Sequence, residues 1–201
     1  MATIAQIVPD TEAEGPGRRF AIWFQGCPLR CPGCCNPEFL PFHGGESLPV
    51  QEIVERIRTT HGIEGISLLG GEPFAHALAA AEIATAARSL GLSVMVYTGY
   101  ELAELRQRTD AESMQLLSQT DVLVDGPYRR EQPDSQRRWI GSTNQKIHFF
   151  TNRYSPTDPC WTKPNTLELR IRGNEISVNG FPASQAKGLW KGWTRKSVPH
   201  G

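Results

Sequence analysis

The chain has 201 residues, enough for one well-buried core with a small appendage. Its 21 basic and 21 acidic residues cancel, so bulk charge exerts no pull toward nucleic acid or an anionic membrane, and neither is expected as a partner. No apolar run approaches the roughly 20 residues of a membrane span. The N-terminal MATIAQIVPDTEAEGPG also lacks the basic-then-apolar order of a secretory signal, so a cytoplasmic location is expected.

In chain order, the first clear element is RRFAIWFQG (18–26), a buried strand running into CPLRCPGCCNPE (27–38). After a Pro/Gly-rich loop, Ser47 reads as the N-cap of a helix reaching about His61, with Pro49 tolerated in its first turn and Val50, Ile53, Val54 and Ile57 on one face. EGISLL (64–69) is a strand that ends at GGEP. An alanine-rich helix spans about 75–90, with Gly91 where a C′ residue belongs. LSVMVYT (92–98) is a strand, 101–118 is mostly helical, and DVLVD (121–125) and KIHFF (146–150) are strands either side of a long polar loop. Beyond 150, TLELRIRGNEISVNGFP (166–182) reads as a hairpin turning at Gly173–Asn174, and the tail with Trp190 and Trp193 is polar.

Short, continuously apolar strands alternating with helices predict an α/β fold with a parallel sheet covered by helices. In such sheets the working residues gather at the carboxyl ends of the strands. The cysteine segment, Gly70–Pro73, Thr98–Tyr100 and Asp125–Tyr128 would all meet there. The division expected is a main domain over 1–150 and a C-terminal extension over 151–201.

Four of the five cysteines fall within nine residues. In a reducing compartment such a cluster favours metal or redox chemistry over disulfides. Cys27, Cys31 and Cys34 have the spacing C-x3-C-x2-C, and Cys35 is adjacent. A structural zinc site would draw paired ligands from a second arm, a Cys31–Cys34 redox pair would leave Cys27 idle, and three thiolates in one loop suit a 4Fe–4S cluster with one iron open.

This C-x3-C-x2-C pattern resembles that of radical S-adenosylmethionine (SAM) enzymes. CPGC followed by Asn36, with GISLLGGEP, VYTGYELAEL, DVLVDGPY and RRWIGSTNQKIH, is similar in order to the glycyl-radical activases of anaerobic ribonucleotide reductase. The resemblance implies an incomplete (βα) barrel of parallel strands, here followed by the hairpin appendage. It implies an enzyme that reductively cleaves SAM to a 5′-deoxyadenosyl radical and generates a glycyl radical on its partner. Cys27, Cys31 and Cys34 would hold the 4Fe–4S cluster, and Gly33, Cys34, Cys35, Gly70, Gly71 and Glu72 would lie at SAM. Thr98 and Asp125, at the next two strand ends, are further cofactor-site candidates. No side chain is needed as a general acid or base. A flavodoxin or ferredoxin would supply electrons. Two features depart from the family pattern: cysteine at position 35, where a bulky residue is usual, and the segment after 150. Another protein or peptide substrate is the nearer rival, and a non-catalytic iron–sulfur electron carrier or zinc module the more distant one.

The remaining candidates are weaker. His148 in an apolar strand reads as a core or rim residue, His43 and His76 as solvent-facing, and Cys160 as an unreactive thiol. Arg129, Arg130, Arg137, Arg138 and Trp139 sit in a loop long enough to serve a function.

Overall fold

The computed structural model describes residues 1–172 and 175–180, without the side chains of 172–177. Its elements are β1 (Ala2–Thr11), β2 (Arg19–Phe24), β3 (Glu46–Leu48), α1 (Val50–Thr59), β4 (Gly65–Gly70), α2 (Ala77–Ser89), β5 (Ser93–Tyr97), α3 (Leu102–Gln107), α4 (Ala111–Gln119), β6 (Val122–Asp125), β7 (Lys146–Phe149), β8 (Leu167–Arg172) and β9 (Glu175–Gly180). Seven strands form one sheet in the order β3-β1-β2-β4-β5-β6-β7, and β8–β9 form a separate hairpin. Strands β2, β4, β5 and β6 are parallel, whereas β1, β3 and β7 join antiparallel. The expected incomplete barrel is thus, in the described residues, a mixed sheet with a parallel centre.

The central strands are mostly apolar because both faces are covered. Phe20, Ile22, Phe24, Ile66, Leu68, Val94, Val96 and Leu123 point to the helices, where Ile53 and Ile57 of α1 and the alanine face of α2 meet them. Their alternates Ala21, Trp23, Leu69, Met95, Val122 and Val124 form the inner face, which loops and the C-terminal segment cover. Residues 12–17 cross that face, the Glu14 carbonyl accepting from Ser67 Oγ at 2.6 Å. At its lower end the fully buried Arg19 donates to Ser67 Oγ at 2.8 Å and to the Pro16 carbonyl at 2.9 Å.

Three local expectations are corrected. Ser47 lies in β3, a strand paired to β1, and α1 begins after Pro49, which has the extended backbone of a cap residue. The helix expected over 101–118 is two helices. Arg108 leaves the helical region and puts its guanidinium over the Tyr100 ring at 4.3 Å, and Asp110 restarts the chain by accepting from Ser113 N at 2.9 Å. Strand β1 was not anticipated at all. Gly91 does close α2, with a left-handed φ of 80° and Leu92 N donating to the Ala87 carbonyl at 3.0 Å. The hairpin forms where expected; its Gly173–Asn174 turn and the tail from 181 lie outside the described residues.

Candidate active site

The cysteine loop is a closed excursion from the end of β2. At its neck Gly26 N donates to the Phe39 carbonyl at 2.8 Å and Cys27 N to the Leu40 carbonyl at 3.0 Å. Gln25 Nε2 clips the same base through the Glu38 and Pro41 carbonyls. Inside the loop, Cys34 N donates to the Cys31 carbonyl at 3.1 Å, a tight turn that needs Gly33 at φ 75°. The aliphatic part of Arg130 fills the space where a side chain at 33 would project.

The GGEP segment is stitched to this neck. Gly71 N donates to the Phe24 carbonyl at 2.7 Å and Glu72 N to the Gly26 carbonyl at 3.0 Å. A Cβ on Gly71 would lie 2.2 Å from the Gly26 oxygen, so close backbone approach accounts for this glycine. The Glu72 carboxylate is buried and accepts from Phe74 N, Thr98 Oγ1 and Gly99 N, each at 2.9 Å. Burial pushes it up to about 7, against the pull of those three donors. Leu29 of the cysteine loop leans on Gly99. The ends of β2, β4 and β5 are thereby locked together under the thiols.

A cleft of about 540 Å³ opens above this junction, within the range of small-molecule sites. Cys27, Cys31, Cys34, Cys35, Gly70, Gly71, Glu72 and Thr98 all line it, joined by Trp23, Leu69 and Tyr97 of the inner face. Gly33 shapes the loop without lining the cleft. Asp125 is turned elsewhere: its Oδ2 accepts from Leu102 N at 2.7 Å at the start of α3 and lies 3.0 Å from His148 Nε2. His76 is not solvent-facing but stacks on Phe24 at 5.3 Å between centroids. Arg137 is taken up by Asp134 and by carbonyls of its own loop, including Gln145 O at 2.7 Å. Cys160 is half-buried, its thiol pushed up by burial.

Burial raises the Cys27 and Cys31 thiols, whereas the adjacent Cys35 thiol brings Cys34 down. Among the described residues no three His, Cys, Asp or Glu side chains converge on one metal ion. A cuboidal cluster does not require that, because each thiolate binds a different iron. Three thiols on one wall, beside glycine backbone and a capacious cleft, therefore fit a cluster with a ligand at its open iron.

Residues that sequence reasoning missed also line the cleft: Glu14, Gln6 of β1, and Leu167, Val178, Asn179 and Gly180 of the hairpin. The Glu14 carboxyl is buried and pushed up to about 8 by that burial, with Gly180 and Asn179 acting in the opposite sense.

The profile of a protein family described as a 4Fe–4S single cluster domain matches residues 13–148. The anaerobic ribonucleoside-triphosphate reductase-activating protein of Vibrio cholerae is 35% identical over 155 residues, covering 73% of this chain and 97% of its own. That of Escherichia coli K12 is 32% identical over 154 residues, covering 72% and 97%, and that of phage T4 is 27% identical over 164 residues, covering 78% and 96%. Among solved structures, QueE from Escherichia coli aligns with a TM-score of 0.44 at 17% identity, over 65% of this chain and 72% of its own.

Proposed function

Because the chain belongs to the family of anaerobic ribonucleoside-triphosphate reductase-activating proteins, we propose that it installs a glycyl radical on such a reductase. It is an enzyme of the radical SAM activase type, and its cofactors are a 4Fe–4S cluster and SAM. Cys27, Cys31 and Cys34 would hold the cluster, and Gly70 and Gly71 would offer their backbone to the methionine part of SAM. When bound, the cluster would supply the single electron for reductive cleavage of SAM to methionine and a radical able to take a hydrogen atom from the partner's glycine.

The chain's own residues bind, orient and exclude water. Glu72 has both oxygens occupied by protein donors, so its part is to fix the GGEP segment against Thr98 and Gly99. Trp23, Leu69 and Tyr97 present an apolar floor that keeps bulk water from the reacting groups. Cys35, adjacent to the third ligand, would stay outside the ligand set and lower the neighbouring Cys34 thiol. A flavodoxin or ferredoxin would deliver the electron.

One observation carries the reading: the three spaced thiols and the ends of β4 and β5 line a single cleft. The test is to mix the reconstituted protein with the purified anaerobic reductase, SAM and reductant without oxygen, and record the electron paramagnetic resonance spectrum. A glycyl doublet on the reductase is expected. SAM cleavage without that doublet would redirect the reading to another protein or peptide substrate.

A further inference from the structure

Part of the cleft's lining comes from chain that follows the region covered by the family profile, which ends at residue 148. Hairpin residues Leu167, Val178, Asn179 and Gly180 line the cleft. The hairpin is fixed to the end of β1: Glu168 Oε1 accepts from Glu12 N at 2.8 Å, and Asn179 Nδ2 donates to Thr11 Oγ1 at 2.8 Å. The segment leading into it organises Trp139, whose φ of 63° is a left-handed conformation that a bulky residue rarely adopts. Asn165 Oδ1 accepts from Trp139 N at 2.7 Å, and Arg138, stacked on the indole at 4.1 Å, donates to Thr166 Oγ1 at 2.9 Å.

Trp139 and Asn179 are 1% and 6% exposed, and both line the cleft. Trp139 Nε1 and Asn179 Oδ1 have no hydrogen-bond partner among the described residues. A buried donor and a buried acceptor left unpaired are each costly, so such groups in a cleft point to a ligand that pairs them. A peptide group brings one acceptor and one donor. Leu169 and Ile171 share the strand face of Leu167 and stand 53% and 70% exposed, an apolar track leading outward from the cleft.

We propose that the C-terminal hairpin is the substrate-binding wall of this enzyme, with Trp139 Nε1 and Asn179 Oδ1 pairing a backbone amide of the partner's glycine-bearing segment. The proposal rests on the activase reading above. SAM serves the whole family, including relatives that match only 72–73% of this chain, so the hairpin, which lies beyond the profile, is assigned to the protein partner, and Trp139, inside the profile, joins it through its contacts with Asn165 and, by way of Arg138, Thr166. A peptide also needs the outward track, which a small cofactor does not.

The test uses cluster-loaded protein and measures two affinities by calorimetry: for the purified full-length reductase, and for SAM without reductase. Trp139→Phe removes the indole N–H and keeps most of the ring packing, and Asn179→Ala removes the acceptor. Each is expected to weaken reductase binding about tenfold, or about 1.4 kcal/mol, while the SAM affinity moves less than about twofold. Leu169→Ser, at an exposed site, is expected to weaken reductase binding several-fold and keeps the test decisive if a buried variant fails to fold. Loss of SAM affinity in the buried variants would assign the two groups to the cofactor and overturn the proposal, as would unchanged reductase binding in all three. Unaltered protein that cleaves SAM but does not bind the reductase would overturn the activase reading, and this proposal with it.

Discussion

Glu72 Oε1 accepts the hydroxyl hydrogen of Thr98 at 2.9 Å, joining the ends of two adjacent parallel strands beneath the cysteine loop. Glu72→Ala would leave that hydroxyl and the N–H groups of Phe74 and Gly99 buried without an acceptor. The apoprotein should lose more than about 2 kcal/mol, while Glu72→Gln, which keeps one acceptor oxygen, should lose less. Urea denaturation of the three proteins measures both, and an unchanged midpoint for Glu72→Ala would contradict the bridging role.

Gly71→Ala would drive a methyl group to within 2.2 Å of the Gly26 carbonyl oxygen, next to Cys27. The expected result is a destabilised apoprotein, by more than about 2 kcal/mol, and reduced iron content after reconstitution. Full stability with full iron would show that the turn yields easily and that the glycine answers to the ligand alone.

Cys35 sets the reactivity of its neighbour. The Cys35 thiol holds Cys34 below the ordinary thiol range near 9; without it, Cys34 should return toward that range. Mass-mapped iodoacetamide alkylation of Cys34 in Cys35→Ala apoprotein should slow about tenfold at pH 7. The same variant should still assemble its cluster, whereas Cys27→Ala, Cys31→Ala and Cys34→Ala should not. Loss of iron in Cys35→Ala would make Cys35 a ligand.

Glu14 gives the fold a pH dependence. Its carboxyl titrates near 4.5 when unfolded and at about 8 when folded. Between those values the folded state keeps a proton that the unfolded state has released, so stability falls as pH rises through the window. Glu72, raised to about 7, acts in the same direction. Apoprotein denaturation midpoints should decline from pH 5 to pH 8, and Glu14→Gln should flatten the decline. An identical slope in the variant would place the effect on other groups.

The parallel centre of the fold and the cysteine side of the cleft were legible because both are local signals. Runs such as FAIWF and ISLL report a sheet covered on two faces, and C-x3-C-x2-C and GGEP fall where those runs stop. Strand β1 escaped because an antiparallel strand near the sheet edge is only partly buried, so Ala2, Ile4 and Val8 alternate with half-exposed residues around Pro9. The break at Arg108 is decided by the ring of Tyr100, which no periodicity reports. Asp125 stands at a strand end like Thr98, yet its carboxylate serves α3. Glu14, Trp139 and Asn179 are brought to one wall by contacts across 126 residues or more, such as Asn179 with Thr11 and Arg138 with Glu12. Only the folded chain displays them.

The most direct test of the central claim is anaerobic. The protein is reconstituted with iron and sulfide, given SAM and dithionite, and assayed by chromatography for 5′-deoxyadenosine and methionine. The account predicts both products in equal amounts, absent from Cys27→Ala. A protein that assembles its cluster, binds the reductase and still leaves SAM intact would contradict it.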